Sequence, residues 1–464
     1  MLFDEQKKKN REKIRAVLAT GGLIAFVCLS FLLPFFTRVF SGYVYAALLL
    51  LSTLTYAFSE KKAIAGRNKY AQFWLVVVIV MNISFLRTNW TNGAFLDMLV
   101  FVCGLILVFL NSAEEKLYVQ LLATMQIFAL FYGIGVFLQY FLPPVHLAIV
   151  RLFPPGYRRA LFEVGCSGFT LNPGYSAGFI IAGLIATLAD FKIPHRNQIK
   201  DLCILLFLVV ALPLTGKRGP IVFFVCTLIY CYLSPAQNLQ KLKRYWKIIL
   251  AIAVTAVLFE AYRESLTEVP LVKRVVNSIE QYHQGRDISS GRLRLYEWAW
   301  ELFERDPMLG AGWGSYRAIV AKKSVLGKGY EVHNIYLQLL CETGLLGFAC
   351  FIVLFLLFWN TARVEYSRIL SQKNNAFPSG WRGLLYFSFA YQTFFLSYGL
   401  TGNPLYDSHF QMMYIIACMM LVAYKKLQAR EAGLSPNVPH VIPIGNVPFE
   451  GAQEITPQKG RDTL

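Results

Sequence analysis

From Leu117 to Leu142 the chain runs LYVQLLATMQIFALFYGIGVFLQYFL, 26 residues without a charged side chain. As an α-helix this stretch would be about 39 Å long, more than the roughly 30 Å hydrocarbon core of a bilayer. Lipid offers no partner to backbone N–H and C=O groups, so a segment that crosses it must satisfy them internally, which a helix does. Runs of this kind recur, and twelve are predicted to span a membrane: 16–36, 41–58, 71–86, 94–110, 117–142, 172–189, 201–214, 219–233, 246–262, 333–360, 383–399 and 407–424. Composition agrees: 56% of residues are hydrophobic and 16% charged, where soluble domains carry about a quarter charged residues. The expected fold is an all-α integral membrane protein, with 1–428 as one polytopic domain and 429–464, rich in proline and without an apolar face, as a disordered tail.

Lysine and arginine in short loops mark the cytoplasmic side. The N-terminal arm carries Lys7, Lys8, Lys9, Arg11, Lys13 and Arg15, and alternate loops carry Lys61, Lys62, Arg67 and Lys69, then Lys192, Arg196 and Lys200, then Lys241, Lys243, Arg244 and Lys247. The intervening loops hold far fewer, so both termini are expected in the cytoplasm. That bias accounts for the net charge of +18 without nucleic acid. The first apolar segment has no small-residue cleavage site and is expected to be retained. Eight of nine cysteines fall in or beside predicted spans, with Cys166 in an outer loop, so no disulfide framework is expected.

Two outward segments, about 143–171 and 263–332, are too long for simple connections. The first carries the basic residues Arg151, Arg158 and Arg159. The second contains SSGRLRLYEWAWELFERDP, where Leu295, Trp298, Ala299 and Leu302 share one helical face, Ser289 or Ser290 can cap the start and Pro307 follows the end. An amphipathic helix is expected there, on the outer membrane surface or over a cavity. In PMLGAGWGSY the alternating Gly310, Gly312 and Gly314 follow no strand, so they suit a tight turn, not a dinucleotide fingerprint.

Three groups on the outer side carry chemistry. Arg218, in LTGKRGP, precedes a span marked by Gly219 and Pro220; a guanidinium beside a helix N-terminus suits an anion. Arg292 and Arg294 open the amphipathic helix, Arg292 favoured because Ser290 and Gly291 permit close backbone approach. His333 opens the tenth span, followed by Asn334, Gln338 and Glu342 at i, i+4 and i+8 of a polar stripe. A charged group facing lipid costs roughly 2.5 kcal/mol or more, so the stripe must face protein or a wet cavity. Gly344 and Gly347 are expected to allow close helix packing.

TGKRGP, then SSGRLRLYEWAWELFERDPMLGAGWGSY, then HNIYLQLLCETGLLG, in that order with a large outer loop between the first and last, resemble the bacterial O-antigen ligase and O-antigen polymerase superfamily. The likeness covers roughly 170–360 by motif and the whole chain by topology, its most specific element being His333 and Asn334 followed by Gly344 and Gly347. Lys217 departs from it, standing where many members have a small or polar residue. The resemblance implies a GT-C-like, inverting, metal-independent glycosyltransferase of the bacterial cytoplasmic membrane, acting on its outer face. The donor would be an oligosaccharide linked to undecaprenyl diphosphate, with Arg218 and Arg292 holding the diphosphate and His333 engaging the acceptor hydroxyl. Lys217, Arg294, Asn334, Arg158 and Arg159 are further candidates for substrate binding. No cofactor is expected. No metal is expected either, since the six histidines have no ligand spacing and the single Glu-x-Asp, Glu304 and Asp306, falls at a helix end. Expected partners are the lipid-linked donor, a glycan or lipid acceptor and the bilayer, with no nucleic acid. Polymerisation of lipid-linked repeat units into a surface polysaccharide is the leading reading, transfer of a finished glycan to lipid A core or another acceptor the alternative. A transporter or flippase is weaker, because the informative polar groups cluster on the outer side and not at a midplane.

Overall fold

The computed structural model describes residues 2–39, 42–59, 69–88, 92–110, 114–153, 165–194, 197–234, 243–250, 266–286, 289, 291–323, 329–371 and 380–431. Among them there is no strand. The helices are α1 (Leu2–Val39), α2 (Gly42–Ser59), α3 (Lys69–Phe85), α4 (Asn92–Phe109), α5 (Glu115–Phe141), α6 (Pro143–Val150), α7 (Pro173–Asp190) and α8 (Gln198–Leu214). They continue with α9 (Arg218–Leu233), α10 (Pro270–His283), α11 (Arg292–Arg305), α12 (Ser315–Lys323), α13 (Ile335–Ser371), α14 (Trp381–Tyr398) and α15 (Ser408–Glu431), with a further helical stretch over 243–250. A helix overlies eleven of the twelve predicted spans; the other, 246–262, falls largely outside the described residues. By length and composition α5, α7, α13 and α15 can each cross a membrane. The predicted tail begins inside α15 at 429–431 and otherwise lies outside the described residues.

The centre of the bundle is α15, where every residue from Ser408 to Tyr424 is buried. Its sequence, SHFQMMYIIACMMLVAY, is apolar on every face, and a helix of that kind is stable only when enclosed. It packs on α1, α4, α13 and α14. Around it α7 fits tightly because small residues bring backbones together. A Cβ at Gly183 would lie 2.0 Å from that of Ala129 on α5, and one at Gly178 would lie 2.3 Å from the Phe410 ring on α15.

The long segment before α13 is folded where it is described, not a simple connection. Ala299 and Leu302 of α11 are buried against Tyr316, Val320, Val332 and Cys341, with Leu295 and Trp298 partly buried beside them. This helix therefore spends its apolar face on α12 and α13, of the two expected placements the one over a cavity. Gly291 occupies its N-cap; of the two serines expected to cap it, Ser289 accepts from Leu293 N at 3.5 Å and Ser290 lies outside the described residues.

What anchors this cap is a break in α13. Gly344 has φ 63° and ψ −172°, so the helix cannot continue its hydrogen-bond ladder there. The groups released at the break are met by the loop before α12: Ala311 N donates to Cys341 O at 3.0 Å, Gly312 N to Glu342 O at 2.9 Å, and Leu345 N to Pro307 O at 2.8 Å. Glu342, fully buried, completes the join. Its Oε2 accepts from Gly314 N at 2.9 Å and its Oε1 from Tyr316 N at 3.1 Å. The glycines allow that approach: Gly310, Gly312 and Gly314 all have positive φ, and a Cβ at Gly310 would sit 2.5 Å from the backbone of Glu342. Gly344 thus serves a break and a docked loop, whereas Gly347 faces Val80 on α3, 3.3 Å from where its Cβ would be.

Gly310→Ala and Gly344→Ala should each destabilise the protein by roughly 1–3 kcal/mol or more, from left-handed backbone plus overlap. Thermal unfolding in detergent, with limited proteolysis of the 305–323 segment, checks this; melting temperatures equal to wild type would refute the docking.

Candidate functional site

The turn after α8 brings the first cations into place. Thr215 Oγ1 returns to Leu212 O at 2.7 Å, and Gly216, at φ 65°, reverses the chain. Lys217 then occupies the N-cap of α9 and Arg218 its first turn. Arg218 Nη1 donates to Ser278 Oγ and, at 3.5 Å, to Arg274 O, which ties it to α10. On the neighbouring element Asn172 Oδ1 accepts from Gly174 N at 2.7 Å, starting α7 with Pro173 and setting Tyr175 beside the same space.

His333 reaches that space through an unusual backbone. With φ 59° it is the only non-glycine residue in the left-handed region among the described residues, a conformation costing roughly 1–2 kcal/mol for a side chain with Cβ. The following Asn334 accounts for it. Its Oδ1 accepts from Tyr336 N and Leu337 N, both at 3.0 Å, capping α13, while Ile335 N donates to Gly399 O at 2.9 Å. The His-Asn pair thus divides its labour: Asn334 starts the helix, and the turn before it aims His333 inward.

These elements line a cavity of about 1610 Å³ to which Lys217, Arg218, Arg274, Arg292 and His333 contribute. Asp97, Glu331, Asp407 and Arg317 line it as well, with Asn172, Tyr175, Tyr398, Asn403 and His409. Burial, then the positive charges of Arg292 and Lys217, lower the His333 pKa to about 4. The imidazole is therefore neutral near pH 7. Burial raises Glu331, and burial together with Glu331 raises Asp407 to about 7, against the opposing effect of Arg317.

Of the residues singled out in the sequence, Lys217, Arg218, Arg292 and His333 come together in one cavity. Arg294 does not line it: exposed, it stands over the Trp298 ring, 5.0 Å from the centroid. Asn334 is the cap described above and is also absent from the lining. Arg158 and Arg159 lie outside the described residues. The polar stripe is buried, and Gln338 and Glu342 hydrogen-bond across helices and loops: Gln338, which also lines the cavity, accepts through Oε1 from Val332 N at 3.2 Å and Asn403 Nδ2 at 2.7 Å. Glu304 accepts from Trp300 Nε1 at 2.7 Å and Asp306 pairs with Arg87 at 2.5 Å. Among the described residues no group of three or more His, Cys, Asp and Glu side chains could hold a metal ion.

Sequence reasoning missed Arg274, Arg317, Glu331, Asp407 and His409. Arg274 and Ser278 are four apart on the amphipathic PLVKRVVNSIEQYH, a readable spacing. Asp407 and His409 sit where the apolar run of α15 begins, a position that by itself announces only a helix start.

Residues 203–352 match the family described as O-antigen ligase, which places all three motifs and both motif arginines inside one matched segment. The match, confined to that segment, supports the likeness to the O-antigen ligase and polymerase superfamily. No curated protein matches it.

Because Asn334 acts through His333, Asn334→Ala should lower transfer and cost about 0.5–2 kcal/mol of stability, while Asn334→Asp or Asn334→Ser restores both. Activity assays paired with melting curves check this. Failure of both capping variants to rescue would make Asn334 a substrate ligand and not a cap.

Proposed function

We propose that the protein is a polytopic, GT-C-type membrane glycosyltransferase with twelve spans and cytoplasmic termini, acting at the outer face of a bacterial inner membrane. Its donor is a glycan on undecaprenyl diphosphate, and transfer is inverting and independent of metal. The observation that carries this is the convergence of Lys217, Arg218, Arg274 and Arg292 with a neutral His333 in one cavity. Four cations can offset the charge that builds on a leaving diphosphate, the role a metal plays elsewhere. The wall continues along α9 through Pro220, Val222 and Phe223, an apolar surface suited to the first isoprene units of a lipid carrier.

In the step proposed, the acceptor hydroxyl oxygen attacks the anomeric carbon from the face opposite the diphosphate. The bond from that carbon to the phosphate oxygen breaks with its electron pair leaving on the diphosphate, and the hydroxyl proton passes to the His333 imidazole. Burial, then Arg292 and Lys217, hold His333 low; bound diphosphate offsets the two charges and so makes the imidazole more basic when the substrate is in place. Polymerisation of repeat units is the leading reading. The family description favours ligation of a finished glycan to a second acceptor as the other.

Arg218→Ala and Arg292→Ala should each lower transfer about a hundredfold or more, and the lysine variants should also be impaired because a point charge lacks the planar fork. Wild-type transfer should persist in excess chelator. Near-normal rates in both lysine variants would overturn the diphosphate assignment, and loss in chelator with recovery on added magnesium or manganese would overturn metal independence. Supplied with a lipid-linked repeat alone, a polymerase gives a product ladder, whereas a ligase waits for a second acceptor.

A further inference from the structure

Part of the cavity wall carries carboxyl groups besides the cations. Asp97, Glu331 and Asp407 contribute carboxyl groups from α4, the segment before His333 and the turn before α15. Two of the three are engaged. Asp97 Oδ1 accepts from Ser408 Oγ at 3.0 Å, and Glu331 accepts from Gln338 Nε2 at 2.6 Å and pairs with Arg317 at 3.7 Å. Asp407 is different, for its carboxyl accepts no hydrogen bond from the described residues. Its side chain points to a ligand only in company with two others. His409, 3% exposed, and Asn403, 5% exposed, both line the cavity, and neither His409 Nε2 nor Asn403 Oδ1 has a hydrogen-bond partner among the described residues. Both atoms are closed to solvent in this structure; buried polar atoms left unpaired cost roughly 1–3 kcal/mol each, a cost that a ligand in the adjoining cavity relieves once the two side chains turn toward it. The Tyr175 ring, 4.6 Å from that of His409 in a T-shaped contact, adds an aromatic edge.

We infer that this wall is a binding subsite for a neutral, polyhydroxylated sugar ring, with Asp407, His409 and Asn403 as its hydrogen-bonding groups. The inference rests on the chain being a glycosyltransferase. A sugar presents hydroxyls that both donate and accept, and a carboxyl, an imidazole and an amide can meet either role. Arg317 offsets Glu331, and burial favours the uncharged form of Asp407, so the wall offers hydrogen bonds more than bare negative charge. That selects a hydroxylated ring over a cation. The guanidinium groups draw the diphosphate, which orients a lipid-linked glycan with its diphosphate toward Arg218 and Arg292 and its sugar toward Asp407. The ring could belong to the donor or to the acceptor.

Three probes separate these sources on detergent-purified full-length protein: undecaprenyl diphosphate alone, the lipid-linked repeat unit, and the same oligosaccharide freed from its carrier. Asp407→Ala should leave undecaprenyl diphosphate binding unchanged. If the ring is the donor's, the variant binds the lipid-linked repeat about tenfold more weakly; if the acceptor's, it binds the free oligosaccharide about tenfold more weakly. Should Asp407→Ala not fold, Asp407→Asn, equal in size, is expected to weaken the same probe at least about threefold. Sugar-probe affinities within error of wild type, or equal losses for all three probes, would overturn the subsite while leaving the transferase reading intact. Wild-type protein that binds none of the three would overturn both.

Discussion

A buried carboxyl group two residues from a helix break joins the segment before α12 to α13. Glu342 reaches the amides of Gly314 and Tyr316, while the carbonyls and amides freed around Gly344 pair with the backbone of the 307–313 loop. Neither partner is stable alone: an unpaired carboxylate and an open helix end are both costly away from water. Joined, they fix α11 and α12 on the end of α13. Arg292 opens α11, and His333 sits two residues before α13, so one join sets the geometry of both.

The cavity that results carries both kinds of group. Lys217, Arg218, Arg274 and Arg292 line it, and burial, then Arg292 and Lys217, lower the His333 pKa; Asp97, Glu331 and Asp407 line it too, and burial, then Glu331, raises Asp407. Tyr398 lies within electrostatic reach of both Arg292 and Asp407. The proposed substrate, with a diphosphate at one end and a sugar at the other, has a counterpart for each kind of group.

Much of this was legible in the chain and some could not be. Apolar runs announced the helices, because lipid and a buried core both select them, and the order TGKRGP, SSGR, HN announced the cationic cluster. The stripe Gln338 and Glu342 was readable as inward-facing, yet its partners were not. Gly314, Tyr316 and Asn403 are distant in sequence, and periodicity reports which face is buried without saying against what. Gly344 looked like a packing glycine because spacing alone does not reveal a left-handed φ. Asp407 and His409 stayed hidden for a related reason: at the start of an apolar helix, a polar pair has no signature that separates a cap from a cavity wall.

His333 is proposed to share its cavity with the diphosphate of the donor. Its pKa measures that directly, by NMR of protein labelled with ¹⁵N-histidine and assigned against His333→Gln. In the empty protein the value should lie near 4, below the ordinary 6.5, because burial and then Arg292 and Lys217 disfavour the imidazolium. Adding undecaprenyl diphosphate should raise it, since the bound anion offsets both cations; by reciprocity, diphosphate binding should tighten as pH falls through the same window. The rate at saturating donor should then decline as pH drops below the raised value. A His333 pKa that stays in place or falls on binding would contradict the shared cavity.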